Sequence, residues 1–445
     1  MSDISDAAPA AAPEAETQYP PPVLAWAMVA VLFVAYIFSF IDRMIIGLLV
    51  EPLKADLGLS DTQVSLLQGF AFAIFYTVIG LPLGRLIDRT ARMRIVAVGV
   101  ALWSLMTASC GLATQYWQLF IARMGVGVGE ATLSPAAYSV ISDAFPRRRL
   151  GLAMGVYGLG SAVGAGLAFF IGAIVIELVT SAGSLTLPLF GELRAWQATF
   201  VIVGLPGLVI AGVFLLLPEP ARHGDAGSEP EIPLSQVWDF TRRRAGAVLG
   251  LCFAVAMVNL AVFAAVSWLP VFLIRVHGFA LTEAGHFAGG ALILGGLIGL
   301  IGGGWLSDRI NNGSAAGRLT VCGIAGAIGT VFAVVFPLAG HPLVTGIAFV
   351  IFFATAALPI GAGASALQQL TPNRMRATLS AVYLFIVNLI GLGAGPTVAA
   401  FIGDTFFPFE TGIRYAIAIV SPLAFAAATG LFFLSAHYAA RSPDT

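Results

Sequence analysis

The sequence predicts an all-α polytopic membrane protein whose twelve transmembrane helices form two six-helix, pseudo-symmetric bundles. Three observations predict this class. Hydrophobic residues make up 58% of the 445 residues and charged residues only 10%, too little polar surface to cover a soluble globule. Apolar runs of about 20 residues, the length that crosses a bilayer as a helix, recur along the chain. The two halves of the chain also repeat one another.

The apolar runs are too long for the alternating strands of a membrane barrel, so each predicts a helix. The predicted spans are 23–50, 62–84, 95–114, 116–141, 150–179, 196–217, 246–274, 283–306, 319–339, 342–369, 375–403 and 412–438. We therefore expect a disordered tail at 1–22, an N-terminal bundle at 23–217, a cytoplasmic linker at 218–245, a C-terminal bundle at 246–438 and a C-terminal tail at 439–445.

Positive charge is distributed unevenly between the two sets of loops. If the N-terminus is cytoplasmic, most of the 22 Lys and Arg residues fall in cytoplasmic segments, and only Lys54, Arg194, Arg275 and Arg414 face the other side. The positive-inside rule therefore predicts a multi-pass protein of the cytoplasmic (inner) membrane with both termini in the cytoplasm. The net charge of −1 gives no indication of a nucleic-acid partner, and we expect none.

A gapless internal repeat relates the two halves. An offset of 220 residues aligns Gly58 with Gly278, Gly69 with Gly289, Asp88 with Asp308, and Arg89 with Arg309. An offset of 226 residues aligns Pro146 with Pro372, Arg148 with Arg374, and Tyr157 with Tyr383. Secondary transporters built from six-helix parallel repeats place the substrate site between the halves.

Four ionisable residues interrupt the apolar helices: Asp42, Arg43, Arg123 and Glu130. A charge at bilayer depth costs at least about 2.5 kcal/mol, so it persists when it is paired, faces a wet cavity or carries out a function. Arg123 and Glu130 lie on one helix face, about 10 Å apart. The repeat places uncharged residues at the corresponding positions of the second half, namely Val262, Phe263, Phe349 and Ala356.

Asp42 and Glu130 are therefore expected to be proton-binding sites, with Arg43 and Arg123 as their partners. Moving an arginine away from a buried carboxylate changes how readily that carboxylate binds a proton. The alternative is a static buried salt bridge that holds the first and fourth helices together.

The loop Gly84-Arg85-Leu86-Ile87-Asp88-Arg89 recurs as Gly304-Trp305-Leu306-Ser307-Asp308-Arg309. This element resembles the signature loop of the major facilitator superfamily. The resemblance implies the major facilitator fold and a cytoplasmic gate. The gate would consist of Gly84, Asp88, Arg89, Arg148, Asp308, Arg309, Arg374 and Arg376. The alternative is a turn that carries only positive-inside charge.

Arg123, followed by Gly125, Gly127 and Gly129, resembles the fourth-helix motif that the superfamily links to proton coupling. The stretches FSFIDRM (38–44) and RMGVGVGEATLSPAAYSVISDAF (123–145) resemble the spinster branch of the superfamily. That resemblance implies proton-driven transport, by alternating access, of amphipathic lipids of the sphingolipid or lysophospholipid type. A helix-one Asp-Arg pair also occurs in organic-anion:cation symporters, so a sugar acid or an aromatic acid is the alternative substrate.

In the superfamily, helices one, four, seven and ten line the central cavity. Helices seven and ten carry no interior charge here, so an uncharged wall would face Arg43 and Arg123. A polyhydroxylated acid needs hydrogen-bond partners on both walls, whereas an amphipathic lipid does not. The predicted substrate contacts on the second half are Asn259, Phe263, Phe349 and Phe353.

Other classes lack their motifs. A P-loop requires G-x-x-x-x-G-K-[ST], and the single lysine, Lys54, follows Pro52 and Leu53, which excludes a primary pump. The five histidines are scattered and mostly near helix ends, which argues against a metal site or an enzyme. We expect no cofactor other than the proton gradient, and a monomer in the bilayer.

Overall fold

The predicted spans are helical in a computed structural model of the protein, which describes residues 19–182, 185–187, 191–222, 234–310 and 314–441. Eleven helices in these ranges are long and apolar enough to cross a bilayer. The fourth predicted span is instead two shorter helices, separated at Ala131 and Thr132. The all-α polytopic class is confirmed, and the fourth span is broken immediately after Glu130.

Within the described residues, the first half contains nine α-helices and a short hairpin between the fifth and sixth spans. The helices are α1 (Pro22–Leu57), α2 (Asp61–Ser65), α3 (Ala71–Arg89), α4 (Arg92–Cys110), α5 (Tyr116–Glu130), α6 (Leu133–Ala144), α7 (Arg147–Ala182), α8 (Ala195–Gly204) and α9 (Pro206–Leu216). Strands β1 (Leu185–Leu187) and β2 (Gly191–Leu193) pair antiparallel. The sequence pattern did not predict this hairpin.

The second half begins with an amphipathic helix inside the predicted linker. Its helices are α10 (Leu234–Arg243), α11 (Ala245–Val266), α12 (Leu269–His277), α13 (Leu281–Leu297), α14 (Gly303–Arg309), α15 (Ala315–Leu338), α16 (Pro342–Leu370), α17 (Arg376–Val387), α18 (Gly395–Phe406) and α19 (Ile413–Arg441). The predicted tails at 1–22 and 439–445, and the linker at 218–245, lie partly outside the described residues.

Both halves run in the same direction through the bundle. Arg275, near the end of α12, pairs with Glu51, near the end of α1. A Cβ added to Gly246, at the start of α11, would lie 2.3 Å from the Tyr438 ring, near the end of α19. The start of α1 and the end of α19 are therefore on one side of the bundle, which we call the terminal side. The opposite side is the distal side.

Three spans contain a π-helical turn, at Leu66–Phe70, Ile298–Gly302 and Asn388–Ala394. Such turns insert a residue into the helix and often mark functional sites. A Cβ on Gly69, in the first turn, would lie 2.6 Å from the Leu392 carbonyl oxygen in the third. The second and eleventh spans therefore meet backbone to backbone, which requires glycine at this position.

The two halves touch at mid-height and on the distal side but diverge on the terminal side. A Cβ on Gly289 would lie 2.7 Å from the Gly166 carbonyl oxygen, so the fifth and eighth spans also cross closely. Nearer the terminal ends of the same helices, no atom lies within 4 Å of a Cβ built on Gly84, Gly155 or Gly304. Among the described residues, the space between the halves is therefore open toward the terminal side.

The first half is tied together on the terminal side by Arg92, whose side chain is fully buried at the start of α4. Its guanidinium group donates to Glu219 Oε1 (2.7 Å), to Ser139 Oγ (2.8 Å) and to the Pro220 carbonyl (2.8 Å), and it also pairs with Asp143. One arginine therefore joins the third, fourth and sixth spans. The role of Arg92 was not predicted from the sequence.

Replacing Arg92 with alanine is expected to destabilise the protein by about 3 kcal/mol, because breaking a buried ion pair leaves its partners uncompensated. The thermal unfolding temperature in detergent measures this effect. The matched control is Arg94→Ala, since Arg94 lies two residues away on the same helix and is exposed. An equal, small shift for the two variants would contradict the structural role of Arg92.

Candidate functional site

The structure brings the four predicted intramembrane charges together within the first half. Arg43 Nε donates to Glu130 Oε2 at 2.6 Å, and the Ser39 hydroxyl donates to the same oxygen at 2.6 Å. Glu130 is 1% exposed and is the last residue of α5, immediately before the break in the fourth span. The helix break and the two donors of α1 therefore fix the position of one buried carboxylate.

Arg123 and Asp42 are close to each other, but not as a simple ion pair. Arg123 Nη1 donates to the backbone carbonyl of Asp42 at 2.9 Å, and its Nε donates to the Leu67 carbonyl at 3.3 Å. Asp42 Oδ1 and Arg123 Nη2 have no hydrogen-bond partner among the described residues. Both side chains are buried. Among the described residues, this site therefore holds one tight buried ion pair and, beside it, one acid and one arginine with unused hydrogen-bonding capacity.

Aromatic rings surround the Arg43 guanidinium group. Its Cζ lies 5.2 Å from the Phe40 ring centroid, 4.7 Å from that of Phe72 and 4.9 Å from that of Tyr76. Cation–π contacts stabilise a guanidinium where water is scarce. The Arg43 side chain nevertheless remains 10% exposed, whereas the side chain of Glu130 is fully buried. The arginine is thus the member of the pair that stays accessible.

A group of tyrosines lies next to the three rings Phe40, Phe72 and Tyr76, which we call the Arg43 cage. Tyr36 stacks on Tyr157 with centroids 4.8 Å apart, and Tyr138 packs edge-on against Tyr157 at 5.7 Å. Ser39, Phe72 and these tyrosines were not predicted from the sequence as site residues. Two of them could have been found, because Tyr36 and Ser39 precede Arg43 by seven and four residues and so share its face of α1.

The predicted substrate contacts of the second half are dispersed. Asn259 donates to the Val255 carbonyl of its own helix (3.0 Å), and Phe263 is partly buried beside Gly395. Phe349 is fully buried, in ring contact with neighbouring phenylalanines, and stacks on Phe353 at 6.2 Å. Phe349 therefore belongs to the core of the second half, because its helix turns it toward α15 instead of toward the space between the halves.

Two of the gate residues predicted on the terminal side have described contacts, and each of these contacts lies within one half. The side chains of Asp88 and Asp308 lie outside the described part of the structure. Arg309 stacks on Trp305 at 4.0 Å, and Arg376 Nε donates to the Gln368 carbonyl at 2.9 Å, so both contact their own half. Arg89, Arg148 and Arg374 are exposed, and Gly84 faces open space.

An ion-pair cluster that the sequence analysis did not predict closes the distal side. Arg275 of α12 donates to Glu51 Oε1 (2.7 Å) and to both carboxylate oxygens of Asp61 (2.6 and 3.0 Å). The backbone N–H and hydroxyl of Thr62 donate to Asp404 Oδ2 at 2.8 and 2.7 Å. These bonds join the first half to the second, and we call them the distal clasp. With the distal clasp formed and the terminal side open, the molecule is accessible from one side.

Comparison with known proteins agrees with this architecture. The family model of the Major Facilitator Superfamily matches residues 32–396. An MFS-type efflux pump of Mycolicibacterium smegmatis is 28% identical over 384 residues, which cover 86% of each chain. A probable L-galactonate transporter of Escherichia coli (strain K12) is 24% identical over 422 residues, which cover 91% of this chain and 87% of that one.

Among solved structures, a bacterial homologue of the human lysosomal transporter Spinster, in an inward-facing and unoccupied conformation, superposes with a TM-score of 0.77. Its sequence is 25% identical, and the match covers 95% of this chain and 100% of that chain. The resemblance inferred from residues 38–44, 84–89 and 123–145 is confirmed. The chain belongs to the Major Facilitator Superfamily and is a membrane transporter similar to the spinster homologue.

Proposed function

We propose that the protein is a proton-driven secondary transporter of amphipathic lipids with an anionic head group, of the lysophospholipid or sphingolipid type. The observation that carries this proposal is the position of Arg43, bound to buried Glu130 at 2.6 Å while part of its own side chain remains exposed. A ligand that enters between the halves reaches the arginine before it reaches the carboxylate.

The proposed coupling follows from the cost of an unpaired buried charge. An anionic head group draws Arg43 away from Glu130, which leaves the carboxylate in an apolar site with Ser39 as its remaining donor. A buried ion that loses its partner is destabilised by several kcal/mol, and a carboxylate avoids this cost by binding a proton. Substrate binding and proton binding are therefore linked through one arginine. Asp42 is the second proposed proton site.

The proposed transport cycle is alternating access. In this state the distal clasp holds Glu51 and Asp61 of the first half against Arg275 of the second, and the terminal side is open. We propose that the terminal side is cytoplasmic, as the positive charges predict, and that a monomer resides in the inner membrane. Opening to the other side then requires the distal clasp to break and the gate residues around Asp88 to close.

The lipid is the favoured substrate because the two walls differ. The first half offers Arg43 and tyrosine hydroxyls, whereas helices seven and ten, which the sequence predicts to form the second wall, carry no interior charge, and the Asn259 amide already donates to its own helix. A polyhydroxylated acid leaves hydroxyl groups unpaired against such a wall, at about 1–3 kcal/mol each. An acyl chain has no such groups to satisfy.

A second candidate is a symporter of sugar acids. Tyr36, Tyr138 and Tyr157 provide hydroxyl groups close to the Arg43 cage. The E. coli relative is described as a probable L-galactonate transporter. These hydroxyls lie on one wall, whereas a sugar acid presents hydroxyls along its whole length.

Glu130→Gln is expected to abolish the stimulation of lysophosphatidylglycerol uptake by a pH gradient, because the amide neither carries the negative charge nor binds the coupled proton. Uptake into proteoliposomes is measured with and without an imposed gradient. Glu177→Gln, at an exposed position of α7, is the matched control. Unchanged gradient dependence in Glu130→Gln would contradict the proposed coupling.

The substrate class is tested by competition. Lysophosphatidylglycerol is expected to protect the detergent-solubilised protein against thermal unfolding at concentrations at least roughly tenfold lower than those of L-galactonate, since only the lipid satisfies both walls. Arg43→Gln is expected to weaken the protection, because it removes the cation that binds the head group. Stronger protection by L-galactonate would contradict the lipid proposal and favour a sugar acid as the substrate.

A further inference from the structure

One phenylalanine contacts both buried arginines of the proposed proton site. The ring centroid of Phe72 lies 4.7 Å from Arg43 Cζ and 5.7 Å from Arg123 Cζ. Phe72 is fully buried near the start of α3, directly after the π turn Leu66–Phe70. The second span thus reaches the charges of the first and fourth spans through an aromatic ring.

The Phe72 ring is held on two sides. A Cβ on Gly127 of α5 would lie 2.5 Å from the Phe72 carbonyl oxygen, so the two helix backbones are in direct contact at this height. The ring also stacks on Tyr76 with centroids 5.3 Å apart and planes at 21°. Because the backbone and the ring of Phe72 are both held in place, the ring determines where the two arginine side chains lie.

The guanidinium groups of the two arginines have different partners. Arg43 has a carboxylate partner in Glu130, whereas the hydrogen bonds described for Arg123 go to the carbonyl oxygens of Leu67 and Asp42. The negative face of an aromatic ring attracts a guanidinium most strongly where water is excluded. Phe72 therefore supplies attraction to both arginines, including the one for which no carboxylate partner is described.

We infer that Phe72 is a positioning residue that keeps Arg43 bound to Glu130 and Arg123 bound to backbone carbonyls. In this arrangement a single arginine, Arg43, pairs with the proton-binding carboxylate. This inference rests on the proposed function of Glu130. Without the ring, Arg123 is free to turn its unpaired Nη2 toward a carboxylate, and Arg43 loses one of its three aromatic contacts. Glu130 then keeps a positive neighbour when the substrate removes Arg43, and the link between substrate and proton weakens.

The test separates coupling from transport. Proteoliposomes with the wild-type protein, Phe72→Leu or Phe72→Tyr are assayed for lysophosphatidylglycerol uptake driven by a pH gradient. The same vesicles are assayed for exchange of labelled against unlabelled lipid at equal pH. Phe72→Leu is expected to lower the ratio of gradient-driven uptake to exchange by about tenfold, whereas Phe72→Tyr, which keeps the ring, retains the wild-type ratio.

Phe214→Leu is the matched control, because Phe214 is a fully buried phenylalanine of α9 in the same half. It is expected to leave the ratio unchanged.

If Phe72→Leu does not fold, trifluorophenylalanine at position 72 keeps the shape of the side chain and weakens the negative face of the ring. It is expected to lower the ratio in the same way. A wild-type ratio in the Phe72 variants, or an equal loss in Phe214→Leu, would overturn the inference. A wild-type protein without gradient stimulation would instead contradict the proposed function, and the inference with it.

Discussion

The ion pair between Arg43 and Glu130 constrains the residues that pack around it. Two opposite charges at bilayer depth are stable only when they satisfy one another, and here they meet at 2.6 Å with a serine hydroxyl on the same carboxylate oxygen. The residues around the pair hold it in place. Aromatic rings enclose the arginine, and the fourth span breaks immediately after the glutamate. We propose that the same constraint makes the pair responsive, since an anion that binds Arg43 leaves the Glu130 carboxylate in a site that water cannot solvate.

We propose that the fold places this pair where access can alternate between the two sides. The halves cross closely at glycines of the second, fifth, eighth and eleventh spans, and the distal clasp around Arg275 closes one side. On the terminal side, Gly84, Gly155 and Gly304 of the second, fifth and eighth spans face open space, and we propose that a ligand enters there to reach the exposed part of Arg43. The structure thus combines close helix crossings at mid-height with a distal clasp whose central charges, Arg275 and Asp61, are largely buried.

Most of the fold could be predicted from the sequence because hydropathy and the repeat are strong, local signals. The break at Ala131, the π turns and the distal clasp could not, since each depends on contacts between distant segments, such as Gly69 with Leu392. The four intramembrane charges stood out by their cost, and the structure brings them together. Their pairing was not predictable: whether Arg123 binds the carboxylate or the backbone carbonyl of Asp42 depends on side-chain geometry. Phe349 looked like a cavity residue because a core phenylalanine and a cavity phenylalanine are equally apolar.

We propose that Arg43 is shared between an anionic ligand and Glu130, so ligand binding is accompanied by proton binding. Isothermal titration of the purified protein with lysophosphatidylglycerol, in buffers of different ionisation enthalpy, measures that proton directly. We expect uptake of about one proton per bound lipid by the wild-type protein and of nearly none by Glu130→Gln. Lipid binding to the wild-type protein with the same enthalpy in every buffer would contradict it.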